Sequence, residues 1–171
     1  MRRLGRTAAT AAVVTALAIG ALPGQAHAAT SPSRPASSAA ALSSQWPVKM
    51  LNLVNAQRAK VGVPPLILCE TLNRASQKYA EQMAKTGHFD HTAPDGSDPA
   101  DRGTAEGYQI RSYGENLAAG QKTVRRVMNG WVHSPGHYSN LISDSFTHLG
   151  VGHAYSKKTR YSEYWVQDFG A

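Results

Sequence analysis

The hydrophobic pattern of the chain changes along its length from helical to strand-like. Two early stretches, 47–61 and 70–86, carry helix start and stop signals and apolar residues at helical spacing. A third helix is predicted in 121–133, where one face is formed by Val124, Val127, Met128 and Trp131. In 147–156 and 160–170, apolar and polar residues alternate around a basic turn, which predicts a β-hairpin. Helices first and a hairpin last predict an α+β domain, with helices packed on an antiparallel sheet.

The first 28 residues have the layout of a secretory signal peptide. Three arginines precede an apolar run over 11–22, and Ala26 and Ala28 form an A-x-A cleavage pattern. This run is too short to span a bilayer comfortably, and no second one follows it. We therefore predict cleavage after Ala28, secretion of the protein to the outside of the cell, and no transmembrane segment. A short membrane anchor is the alternative.

The chain that remains after cleavage divides into a linker and one domain. Residues 29–45 are rich in Ser, Ala and Pro, which predicts a flexible linker. The domain is expected over 46–171, long enough for one hydrophobic core. Residues 29–171 contain 15 basic and 11 acidic side chains, a net charge of +4. Because these charges are scattered, they do not indicate nucleic-acid binding. They suit weak attraction to anionic wall polymers or lipid head groups.

The chain contains a single cysteine, Cys69. A secreted chain with one cysteine cannot form an internal disulfide, so its stability must come from packing. Cys69 follows the apolar stretch LIL and is predicted to be a small buried apolar residue, since no motif around it indicates a catalytic thiol.

Three polar segments carry residues suited to catalysis or metal binding. His88 and His91 lie in GHFDHTAPDG, Glu115 lies in GENLAAG, and His137 lies on a Ser-Pro-Gly turn just past the third helix. The segment HFDH lacks the H-E-x-x-H signature of zinc proteases. Spacing alone leaves two readings open: a shared metal or acid–base site, or unrelated hydrogen-bonded polar residues.

Four motifs occur together in a recognisable order: GHFDHTAPDG, YGENLAAG, WVHSPGHYSNLISDSFTHLGVGHAY and YWVQDFG. They resemble the CAP superfamily (cysteine-rich secretory proteins, antigen 5 and pathogenesis-related 1; the SCP domain), and in particular its bacterial secreted branch. The resemblance covers about 46–171. It implies a three-layer α-β-α sandwich around a central antiparallel sheet. It also implies a cleft lined by two histidines and two acidic residues, which in some members binds zinc or another divalent cation.

The resemblance assigns the cleft residue by residue. His91 matches the first histidine, Glu115 the acidic residue of the G-E-N motif, and His137 the second histidine. Ser134 stands where many eukaryotic members have the glutamate of W-x-x-E, which leaves His91, Glu115 and His137 as the expected ligands of a divalent cation such as zinc. The disulfides of the eukaryotic branch are missing.

Two classes of function follow from these residues. The first is a secreted, monomeric binding module whose cleft takes a lipid, sterol, cell-wall polymer or protein. The second is a metal-dependent extracellular hydrolase with Glu115 as general base. The missing acidic residue at Ser134 favours the binding module, because fewer groups remain to hold a metal and move protons. His88 is expected to pack or cap its loop, and three further histidines are expected on the surface or in strands: His133, His148 and His153.

Overall fold

The computed structural model describes residues 45–171 of the 171-residue chain. The predicted signal peptide and nearly all of the predicted linker lie outside these residues, so both stay predictions. Within residues 45–171, none of the helices combines the length and the apolar character that a membrane crossing requires.

The described residues form five helices and four strands. The helices are α1 (Gln45–Lys60), α2 (Glu70–Thr86), α3 (Pro99–Ala105), α4 (Val124–Val132) and α5 (Pro135–Ile142). The strands are β1 (Ile67–Leu68), β2 (Tyr113–Ala119), β3 (His148–Tyr155) and β4 (Glu163–Gly170). The predicted helix 70–86 is confirmed to the residue, and the predicted hairpin corresponds to β3 and β4.

The four strands form one sheet in the order β1-β3-β4-β2. β4 is antiparallel to both of its neighbours, as expected, whereas the two-residue β1 pairs with β3 in parallel. β2 is therefore an edge strand, and its register with β4 places Glu115 opposite Asp168 and Leu117 opposite Val166.

Successive side chains of each strand point to opposite faces of the sheet, and a layer of helices packs on each face. On one face, Leu117 and Val166 join a core with α2 residues such as Tyr79 and Met83. On the other face, Ala118 and Trp165 join the buried side chains of α1, α4 and α5. The three-layer α-β-α sandwich is thus confirmed.

Two glycines in β3 allow α2 to lie directly on the sheet. A Cβ atom at Gly150 would stand 2.4 Å from the Leu72 carbonyl carbon, and one at Gly152 would stand 2.1 Å from the Ser76 carbonyl oxygen. Because these neighbours are backbone atoms, no side-chain rotation could relieve the overlap. The L-G-V-G stretch therefore sets the distance between helix and sheet.

Two local predictions are wrong. The Ser-Pro-Gly segment is the start of a helix, and His137 lies within α5. Cys69 is half-buried, with Sγ 3.0 Å from Thr71 Oγ1, because it is the residue that precedes α2 at the surface. The predicted third helix is confirmed as α4, which lies within 121–133 and starts where Thr123 accepts a hydrogen bond from the Arg126 amide.

We predict opposite effects for alanine at two glycines. Gly152→Ala should lower the free energy of unfolding by about 3 kcal/mol or more, because α2 must move away from the sheet. Gly130→Ala, in the exposed part of α4 where a Cβ meets nothing within 4 Å, should raise it by roughly 0.5–1 kcal/mol. Urea unfolding of both variants tests this, and a Gly152→Ala variant as stable as wild type would contradict the packing argument.

Candidate functional site

Glu115 lies in β2 with its side chain on the α2 face of the sheet, only 2% exposed. Its Oε1 accepts a hydrogen bond of 2.7 Å from His91 Nδ1, and its Oε2 accepts one of 2.7 Å from Arg102 Nη2. Because a carboxylate only accepts, the shared proton of the first bond is assigned to His91 Nδ1. Both oxygens of Glu115 are therefore engaged by side chains of this chain.

Arg102, which sequence reasoning did not identify, connects three parts of the site. It lies in α3, a short helix that begins at a reciprocal capping box between Asp98 and Asp101. Its Nη1 donates to the carbonyls of His91 and Ser97, at 3.1 and 2.9 Å. Its guanidinium also stacks over the Tyr79 ring, 3.6 Å from the centroid. Arg102 thus holds the loop between α2 and α3 against β2.

His137 approaches β2 from the other helical layer. Its Nδ1 lies 2.8 Å from Ser134 Oγ. The serine that replaces the acidic residue of many family members therefore contacts this imidazole. Asn116 Nδ2 donates to the His137 carbonyl at 3.1 Å, and Asn140 Nδ2 donates to the Glu115 carbonyl at 3.1 Å. These amide contacts fix α5 to the edge strand.

The two imidazoles have opposite pKa shifts. The hydrogen bond to Glu115 is the main cause that raises the pKa of His91, with smaller contributions from the charges of Glu115 and Asp90. Burial lowers the pKa of His137, and the positive charge of His91 lowers it further. The rings are therefore close enough to influence each other, and their pKa values move in opposite directions from the ordinary histidine value.

Asp168 is a second buried carboxyl group that sequence reasoning missed. It lies opposite Glu115 in β4, is 2% exposed, and its Oδ2 accepts a hydrogen bond of 2.6 Å from Ser76 Oγ. Burial, followed by the negative charge of Glu115, raises the pKa of Asp168. Its place beside Glu115 follows from the register of β2 and β4, which the sequence alone does not reveal.

The expected ligand set is only partly assembled. Among the described residues, no group of three or more His, Cys, Asp or Glu side chains is arranged so that it could hold a metal ion. His91 and Glu115 are in contact, but Glu115 is also hydrogen-bonded to Arg102. The side chains of His91, Glu115 and His137 are therefore not arranged as a preformed three-ligand metal site. Zinc binding by these residues stays a prediction.

The other histidines of the described residues lie away from Glu115 and make different contacts. His88 Nε2 lies 2.8 Å from the Thr92 carbonyl, which agrees with its expected role in closing the loop. His133 is exposed and His148 lies in β3. His153 stacks on Trp165 with ring centroids 3.9 Å apart, on the face of the sheet opposite Glu115.

A groove runs along the free edge of β2, and we call it the β2 groove. It has a volume of about 310 Å³, and its lining includes Phe89, Leu117, Ala119, Gly130, Trp131, Ser134, His137 and Tyr161. Its aromatic wall is formed by Phe89 and Tyr161, which are 40% and 37% exposed and whose ring centroids lie 5.7 Å apart. His137 and Ser134 are the polar residues shared by this groove and the predicted cleft.

Comparison with known proteins places the chain in a family. The chain belongs to the CAP family, the cysteine-rich secretory protein family, whose model matches residues 51–169. It is 36% identical over 126 residues to the uncharacterized protein YkwD of Bacillus subtilis, covering 74% of this chain and 47% of YkwD. It is also 36% identical over 113 residues to human Golgi-associated plant pathogenesis-related protein 1, covering 65% and 64% of the two chains.

Solved structures show the same fold. An extracellular protein with an SCP domain from Bacillus anthracis matches with a TM-score of 0.65 and 26% identity, over 72% of this chain and 39% of that one. An outer surface protein of Borrelia burgdorferi matches with a TM-score of 0.68 and 23% identity, over 75% and 93%. The chain spans less than half the length of YkwD and of the Bacillus anthracis protein.

The two imidazoles should titrate on opposite sides of the ordinary histidine value of about 6.5. NMR titration should give His91 a pKa above this value and His137 a pKa below it. The stability that the His91–Glu115 pair contributes should be fully present below about pH 6.5 and lost as pH rises through the folded-state pKa of His91.

Substitution of Glu115 tests whether its hydrogen bond raises the pKa of His91. Glu115→Gln should lower the pKa of His91, whereas Glu81→Gln, on the exposed surface of α2, should leave it unchanged. Equal His91 pKa values in wild type and Glu115→Gln would contradict this assignment.

Proposed function

We propose that this CAP protein acts outside the cell as a binding module rather than an enzyme, with its ligand in the β2 groove. The observation that carries this proposal is the state of Glu115, whose two oxygens both accept hydrogen bonds from this chain's own side chains. The groove beside His137 then remains as the surface that a ligand could use.

The hydrolase alternative requires a Glu115 oxygen that can accept a proton from water, but both oxygens already accept hydrogen bonds from the protein. A general base must stand within hydrogen-bonding reach of the proton that it removes from water. Glu115 is 2% exposed and bridges Arg102 and His91, so it has no open oxygen facing the groove. Ser134 also supplies no carboxylate at the family's second acidic position. These contacts support a structural role for Glu115.

Several features support action outside the cell. The N-terminal sequence has the layout of an export signal. The structural relatives include one described as extracellular and one described as an outer surface protein. The net charge of +4 in residues 29–171 suits a location beside anionic polymers, but its scattered distribution gives no support to nucleic-acid recognition.

A substitution that fills the groove tests the proposal. Leucine at Gly130, which lines the groove, should reduce the space open to a ligand, and its Cβ would meet no atom within 4 Å. Probes of three chemical classes are suitable: a tetramer of N-acetylglucosamine, palmitate, and blocked tetrapeptides. At least one should bind to wild type in ligand-observed NMR and lose about tenfold in affinity in Gly130→Leu.

The matched control is Asn129→Leu, one residue earlier on the exposed surface of α4. It should bind like wild type. A probe that wild type hydrolyses, but that a normally folded Glu115→Gln variant does not, would contradict the binding-module proposal and support the hydrolase.

We also propose that a divalent cation such as zinc binds weakly through the two imidazoles alone. The Nδ1 atoms of His91 and His137 contact Glu115 and Ser134, which leaves Nε2 of each ring as the candidate ligand. Calorimetry with zinc chloride should show uptake that weakens below roughly pH 6 as the imidazoles protonate. His137→Ala should abolish it and His133→Ala should not. Identical titrations of wild type and His137→Ala would contradict the site.

A further inference from the structure

We propose that the β2 groove takes an extended peptide, which adds to the free edge of β2 at Ala119. This inference rests on the proposed function, because it names the ligand class for the same groove. Strand addition uses main-chain hydrogen bonds for affinity and neighbouring pockets for side-chain selection.

The register of β2 shows which backbone groups face the groove. Hydrogen-bonded and non-hydrogen-bonded pairs alternate in an antiparallel ladder. The Gly120 amide donates to the Glu163 carbonyl at 2.9 Å, so the next pair along, Ala119 opposite Tyr164, is a non-hydrogen-bonded pair. Ala119 and Leu117 therefore direct their N–H and C=O groups away from β4, toward the open edge.

The chain blocks part of this edge and leaves one end open. Trp131 Nε1 donates to the Leu117 carbonyl at 3.1 Å, and Asn140 Nδ2 donates to the Glu115 carbonyl at 3.1 Å. Within residues 45–171, the outward N–H and C=O of Ala119 have no such partner. An incoming strand would thus pair at Ala119 and at the Leu117 N–H, which limits it to a short segment.

The walls of the groove suit a short peptide with an apolar side chain. The rings of Phe89 and Tyr161 border one side, and the largely buried Val127 and Trp131 of α4 lie behind the other. A volume of about 310 Å³ lies at the lower end of the usual range for ligand pockets. A fatty acid would leave the Ala119 groups unpaired, whereas a peptide backbone offers the matching donor and acceptor.

Gly130 supports the assignment of the groove as an open space. It lies within α4, where alanine would favour the helix more, and it lines the groove with no atom within 4 Å of the position of a Cβ. Gly130→Leu fills this space from the α4 side. Phe89→Ala removes the opposite wall at an exposed position, so the two variants test the groove independently of each other.

The experiment uses a pool of N-acetylated, C-amidated tetrapeptides passed over the immobilised mature protein, with bound peptides identified by mass spectrometry. Peptides with an aliphatic or aromatic side chain should be enriched on wild type and on Asn129→Leu. They should be depleted on Gly130→Leu and on Phe89→Ala. Enriched peptides should also slow hydrogen exchange of the Ala119 amide.

N-methylation of the enriched peptides tests backbone pairing. Methylation of the amide that pairs with the Ala119 carbonyl should weaken binding by about tenfold, because one hydrogen bond is lost and the strand is displaced. Methylation of the adjacent amide, which points away from β2, should change affinity less than twofold. Equal tolerance at every amide would overturn strand addition.

The remaining outcomes separate this inference from the proposed function. If no peptide is enriched but palmitate or the N-acetylglucosamine tetramer binds in a Gly130-dependent manner, the groove function stands and the peptide assignment is overturned. If none of the three classes depends on Gly130 or Phe89, both proposals are overturned.

Discussion

The arrangement of the site depends on the burial of one charge, the carboxylate of Glu115. A carboxylate that is 2% exposed is costly unless it is paired and hydrogen-bonded. Arg102 and His91 supply that pairing, and they come from α3 and from the α2–α3 loop. The charge therefore helps to hold α3 and the α2–α3 loop, with Phe89 at its start, against the edge of β2.

β2 connects the segments that pair with Glu115 to the helical layer on the opposite face of the sheet. Because successive side chains of a strand point to opposite faces, Glu115 contacts the α2–α3 loop while Asn116 contacts α5. The same two residues thus fix Phe89 on one side of the groove and His137 on the other. The groove is bounded by elements from both helical layers, and this edge strand contacts both of them.

The sequence predicted what depends on local signals and on family motifs. Helix α2 was predicted to the residue, because its apolar stripe ends at Gly87, which adopts a φ of 75°. The contact between His91 and Glu115 could be expected only from the resemblance, since 24 residues separate them. Arg102 and Asp168 could not be found, because α3 has a short and mostly polar sequence and because the pairing of Glu115 with Asp168 exists only in the register of two distant strands.

Glu115 acts as a structural tie with Arg102, and a double-mutant cycle tests this coupling. Free energies of unfolding in urea would be measured for wild type, Arg102→Met, Glu115→Gln and the double variant. If the two side chains are coupled, the double variant should lose less stability than the sum of the single losses, with a coupling energy of about 1–3 kcal/mol. Losses that add to within roughly 0.5 kcal/mol would contradict it.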